Sequence, residues 1–136
     1  ETGFRTFLRE ERPDLDVLDT IVNLETRQLT LETTRGLLNR HPDLRGIYVA
    51  GGGMEGAIAA VREARATGEV ALVVNELTPE SRAALISRHV TMVIGTPLPR
   101  LCDDLVRLAT EAVSGGLPPV QGQHFLQPDL YLPESV

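Results

Sequence analysis

The stretch VAGGGMEGAIAAV, residues 49–61, holds Gly51, Gly53 and Gly56 in the pattern G-x-G-x-x-G. It lies between the apolar run LRGIYVA and an alanine-rich segment. Glycines at this spacing let a backbone approach a pyrophosphate at a helix N-terminus. Glu76, at the end of the next apolar run, stands where such a site would place a carboxylate on a ribose hydroxyl. The same glycines also serve a tight turn with close strand–helix packing. Three features oppose the nucleotide. The pattern does not open its domain, because two helices and a strand are expected before it. Glu55 at the helix start would face an incoming phosphate. Only two further strands follow. Packing is therefore the expected role, and no cofactor is expected.

Other chemistry-bearing residues are sparse. The single cysteine, Cys102, allows no internal disulfide, and it falls on or beside an apolar helix face, where packing is expected. His41, His89 and His124 are far apart and show no metal-ligand spacing. No nucleophile–base pair stands out, so neither a catalytic residue nor an enzyme is expected. The 13 basic residues are all arginines, scattered along a chain of net charge −6. No basic stripe for nucleic acid results. No apolar run approaches the roughly 20 residues of a membrane span. With 136 residues, 42% hydrophobic and 24% charged, the chain suits one globular domain or one lobe of a larger protein.

The elements that must position these residues alternate. Phe4, Phe7 and Leu8 sit at i, i+3, i+4, which predicts a helix over 3–12 ending before Pro13. LDVLDTIV (15–22) predicts a strand. Residues 25–41 predict a helix stopped by Pro42, 44–50 a strand, and 55–68 a helix stopped by Gly68. The apolar run 70–76 reads as a strand buried on both faces. In TPESRAALISRH, Thr78 is an N-cap and Pro79 takes the first helical position. A strand at 90–96 and a long amphipathic helix follow. The helix carries Leu101, Leu105 and Leu108 and ends at Gly115–Gly116. A last strand is expected around His124–Leu126. This alternation predicts an α/β fold with a parallel sheet and helices on both faces. Ligands of such sheets bind at the carboxyl ends of the strands. Those ends are Asn23–Glu25, Ala50–Met54, Asn75–Thr78 and Gly95–Pro97.

Three segments in order resemble the ligand-binding region of LacI-type transcriptional regulators. They are GFRTFLREERPDLDV, LLNRHPDLRGIYVAGGGMEGAIAAV and NELTPESRAALISRHVTMVIGTPLPRL. That region is similar to the sugar-binding proteins of transporters and shares their periplasmic-binding-protein-like type I fold. The resemblance implies a three-layer lobe spanning 1–136, mainly the C-terminal one. Residues 90–114 then resemble the segment that crosses back to the N-terminal lobe, and the helix-turn-helix is lacking. It implies a small polar effector, such as a sugar, bound between lobes. It also implies contacts from Asn23, Glu25, Gly53, Met54, Asn75, Glu76 and Thr96. Met54 stands where one subgroup has an asparagine that pairs with a sugar hydroxyl. The regulator reading implies a cytoplasmic protein that reaches DNA only through the absent helix-turn-helix. The transporter sugar-binding protein is the alternative, and a dinucleotide-binding oxidoreductase fragment the more distant one. Leu101, Leu105 and Leu108 lack the lobe that would cover them, so a homodimer is expected.

Overall fold

Leu72 and Val74 are fully shielded from solvent. They belong to β2 (Ala71–Asn75), which pairs in parallel with β1 (Gly46–Val49) on one side and β3 (Met92–Gly95) on the other. The computed structural model of the chain describes residues 2–65, 67–115 and 123–136. The remaining elements are α1 (Thr2–Glu11), α2 (Arg27–Arg40), α3 (Met54–Ala64), α4 (Pro79–Ile86), α5 (Leu98–Val113) and β4 (Asp129–Tyr131). β4 is antiparallel to β3 and completes a sheet of order β1-β2-β3-β4.

Alternation along the strands assigns two faces. Val49, Leu72, Val74 and Val93 share the buried face. They meet Ala57, Ile58, Ala60 and Val61 of α3 and Ala84 and Leu85 of α4 in one core cluster. Leu38 brings α2 into that cluster from across α3. Tyr48, Val73 and Ile94 point to the other face and stay partly exposed. There the ring of Phe4 on α1 lies 6.0 Å from that of Tyr48. The leucines of α5 look toward Ile94 across an open groove. Neither α1 nor α5 has a buried residue. The molecule is thus a three-layer α/β lobe, densely packed on one side and thinly covered on the other.

Local chemistry accounts for the helix ends. The Thr78 hydroxyl accepts from Ser81 N–H and Ser81 Oγ accepts from Thr78 N–H, a reciprocal cap that starts α4 with Pro79 at its first position. Thr26 Oγ1 accepts from Leu29 N–H at the start of α2. α3 is shorter than its sequence pattern: it stops at Ala64, and Gly68 (φ 81°) lies beyond it. Gly116, read as part of the stop of α5, lies outside the described residues.

Three expectations are corrected. Residues 15–22 do not form a strand. The Val17 and Leu18 carbonyls accept from the Arg5 guanidinium (3.3 and 2.8 Å) instead of from a neighbouring strand. The apolar residues of this segment stay largely exposed, Ile21 at 42% and Val22 at 71%, so no packed face fixes them as a strand. The last strand is not at His124–Leu126 but at Asp129–Tyr131, just past Pro128, which lacks the N–H a ladder requires. Cys102 is exposed rather than packed, because nothing in the described chain covers α5 on that side.

Gly56 marks the tightest crossing. A Cβ there would lie 2.2 Å from Arg27 O and 2.7 Å from Leu31 N, both backbone atoms of α2. Neither can give way without moving the helix, so Gly56→Ala is expected to destabilise by about 3 kcal/mol. A Cβ at Gly46 would meet only Ala71 O at 3.6 Å. Gly46→Ala is expected to be neutral or stabilising by up to about 1 kcal/mol. Urea unfolding of the two variants checks the contrast, and equal midpoints would contradict it.

Candidate functional site

At the carboxyl ends of β1, β2 and β3 the chain leaves the sheet, and its polar side chains tie neighbouring strand ends together. Asn75 closes β2. Its Nδ2 donates to Ala50 O at 2.9 Å, and its Oδ1 accepts from the Tyr48 hydroxyl at 3.3 Å. β1 and β2 are thereby bridged. Glu76 follows in left-handed backbone (φ 65°), with its N–H donating to Ile94 O at 2.9 Å. Its carboxylate accepts from Thr96 Oγ1 at 2.6 Å and from Thr96 N–H at 3.4 Å. β2 and β3 are bridged in turn.

Asn23 and Glu25 arrive from the segment before α2. Asn23 Nδ2 donates to Gly52 O and to Thr30 Oγ1, both at 2.9 Å, while its Oδ1 accepts from Glu25 N–H at 3.0 Å. Both amide hydrogens are used, so Asn23 staples this segment to the glycine turn. Leu24 and Glu25 are both left-handed (φ 48° and 55°), which folds the Glu25 side chain back over the turn. Its Oε1 lies 2.8 Å from where a Cβ on Gly51 would stand.

The glycines have packing partners throughout. Gly51 and Gly52 lie beneath Glu25, while Gly53 and Gly56 lie against α2. Gly53 caps α3 at φ 82°, and a Cβ there would fall 2.4 Å from Thr30 Oγ1. Met54, expected at the ligand, is 5% exposed and belongs to the core cluster. As the first residue of α3 it shares that apolar cluster with Val49, an environment that suits a thioether. Asn23, Glu25, Gly53, Asn75, Glu76 and Thr96 are brought to one edge, and Met54 is turned away from it.

Spacing did not suggest several neighbours of this edge. Asn75, Glu76 and Thr96 line one end of a groove of about 400 Å³ whose far wall is Leu101, Leu105 and Leu108. Asp104 and His124 lie along it, with Nε2 3.1 Å from the carboxylate. The Arg107 hydrogen bond, opposed by slight burial and aided by His124, holds the Asp104 carboxyl below the ordinary carboxylate range. Tyr48 was legible only as a strand residue, and the Asp104–His124 contact has no signal in the linear order. Among the described residues no group of three or more potential ligands could hold a metal.

Residues 1–117 match the periplasmic binding protein domain family. Comparison with curated proteins found no match. An ABC transporter solute binding protein from Agrobacterium vitis, bound with alpha-D-tagatopyranose, is similar at TM-score 0.84 and 19% identity, over 98% of this chain and 44% of that one. GanP, a glucose-galactose binding protein from Geobacillus stearothermophilus, gives 0.83 and 16%, over 98% and 47%. The XylFII-LytSN complex gives 0.81 and 15%, over 98% and 46%. The chain therefore spans less than half the length of each of these structures. Their likeness at such identities concerns the fold. With a sheet edge built as described and a family match over most of its length, the chain belongs to the periplasmic binding protein domain family.

Proposed function

We propose that this chain is one lobe of a solute-binding protein that holds a sugar or similar small polar molecule at the carboxyl edge of its sheet. The observation that carries this reading is the row of Asn75, Glu76 and Thr96, prepositioned by ties between strand ends. Each keeps hydrogen-bonding capacity. An amide has two donors and two lone pairs, and Asn75 spends one of each. A carboxylate has about four acceptor sites, and Glu76 spends two. Such fixed groups meet hydroxyls without rearranging, which lowers the entropic cost of binding. Glu25 and the Gly53 turn complete the edge, and Asn23 holds them in place. Binding selects one conformation from an open–closed equilibrium and requires no covalent step.

A transporter-type binding protein is favoured over the effector domain of a LacI-type regulator, because the structural relatives named above include transporter solute-binding proteins. The regulator reading rests on the three ordered sequence segments. Coding sequence upstream separates the two: a signal peptide supports the first and a helix-turn-helix the second.

Calorimetry on the full-length protein with a panel of neutral monosaccharides tests the binding reading. At least one is expected to bind saturably. Asn75→Ala and Thr96→Val are each expected to weaken it tenfold or more, about 1.4 kcal/mol. A folded protein that binds neither these sugars nor their amino forms would sink the reading.

The exposed stripe of Leu101 (42% exposed) and Leu105 (65%) supports pairing of the isolated 136-residue chain with a second copy. Sedimentation at micromolar concentration is expected to show a dimer that Leu105→Glu returns to monomer. A clean monomer of the unsubstituted chain removes this proposal.

A further inference from the structure

We infer that the site selects a sugar-like ligand bearing a protonated amine, bound at Glu76, and that Glu25 turns away acidic or phosphorylated sugars. This rests on the binding reading above and names the class of ligand within it.

The charge of the edge is the starting point. Glu25 and Glu76 are its only ionisable contacts among the candidate residues, and both are acidic. Among the described residues, no arginine or histidine forms an ion pair with either. Arg100, at the start of the nearby α5, has its guanidinium committed to Asp129 and to Gln127 O. When a ligand covers the edge and displaces water, an unpaired carboxylate loses solvation that neutral hydroxyls replace incompletely. A ligand ammonium replaces it with a charge-assisted hydrogen bond. Glu76 suits this contact. Two bonds from Thr96 fix its carboxylate, and about two acceptor sites remain.

Glu25 plays a different part. The positive end of the α3 dipole is a cradle for an anion, and Glu55 in its first turn already opposes one. In this chain the Glu25 carboxylate is folded over Gly51 and Gly52, immediately before that start. Left-handed backbone at Leu24 and Glu25, a conformation most residues avoid, puts it there. A phosphate or carboxylate group approaching the cradle meets a like charge. Glu25 lies over the turn after β1, whereas the Glu76 carboxylate is drawn to Thr96 after β3, two strand spacings or roughly 10 Å along the edge. One amine therefore reaches Glu76 alone, and Glu25 acts on the substituent at the other end of the ring.

Calorimetry on the full-length protein at low salt tests this with matched sugars: glucose, galactose and mannose, their 2-amino and 2-acetamido forms, and their 6-phosphates. In at least one series the amino sugar is expected to bind tenfold or more tighter than its neutral parent. Acetylation should abolish the advantage, and the 6-phosphate should bind at least tenfold more weakly than the parent. Glu76→Gln should collapse the amine-to-neutral ratio toward one, and Thr96→Val should reduce it. Glu25→Gln should narrow the parent-to-6-phosphate ratio while keeping the amine advantage. Asp14→Asn, remote from the edge, should change neither ratio. Neutral sugars that bind with no amine advantage, or a ratio unmoved by Glu76→Gln, overturn the inference and leave the binding reading standing. Failure of every sugar to bind overturns both.

Discussion

The close approach of α2 to the start of α3 is the constraint on which the rest of the structure depends. It exists because Gly53 and Gly56 present no side chain to Thr26, Arg27, Thr30 and Leu31. At that distance Thr30 can take a hydrogen bond from Asn23, and Asn23 can reach Gly52 O. The segment before α2 is then pinned over the glycine turn, with Glu25 against Gly51. A helix–helix contact thereby builds one end of the carboxyl edge. The same contact sets α3 on the sheet, where Ala57, Ala60 and Val61 meet the central strand. Small residues on α3 make both contacts short, so the layer is thin and its side chains have little freedom.

The other end of the edge depends on strand order. β2 is central, and its last residues are flanked by the ends of both parallel neighbours. Asn75 reaches one and Glu76 the other. Parallel strands end in register at one side of the sheet, which gathers these groups without any loop needing to reach far. Left-handed backbone at Glu76 turns the chain sharply enough for its carboxylate to meet Thr96. The edge is therefore a set of short ties that already satisfy part of each polar group and orient what remains.

The two faces of the sheet differ in how much they bury, and the difference follows from what this chain supplies. One face has α2, α3 and α4 and contains every member of the core cluster. The other has α1 and α5, neither with a buried residue. The leucines of α5 instead wall an open groove that begins at the binding edge. Ion pairs hold α5 to the returning tail, through Arg100 to Asp129 and Asp104 to His124. Exposed pairs of this kind contribute little stability. α5, which borders the carboxyl edge, is accordingly held without buried contacts.

Local chemistry in the sequence determined most of the elements. The period of Phe4, Phe7 and Leu8, the Thr78–Pro79 start, the continuous apolar run of β2 and the prolines after the helices each act within a few residues, and the helices and three parallel strands follow them. The carboxyl ends of those strands were likewise legible, and so were Asn75, Glu76 and Thr96 as residues of one edge. Tertiary structure decided the rest. Residues 15–22 read as a short apolar strand, but pairing needs a partner, and Arg5 takes the Val17 and Leu18 carbonyls instead. Met54 was expected at the ligand from its position in the resemblance alone, yet as the first residue of α3 it is buried in the core cluster. The edge strand lies five residues beyond the expected one, where β3 has a free ladder and Pro128 has been passed. The glycine pattern allows a phosphate or a packed helix, and its place in the chain together with Glu55 already favoured packing. The packing partners themselves, Glu25 and α2, arrive from about thirty residues upstream, a contact that no local pattern encodes.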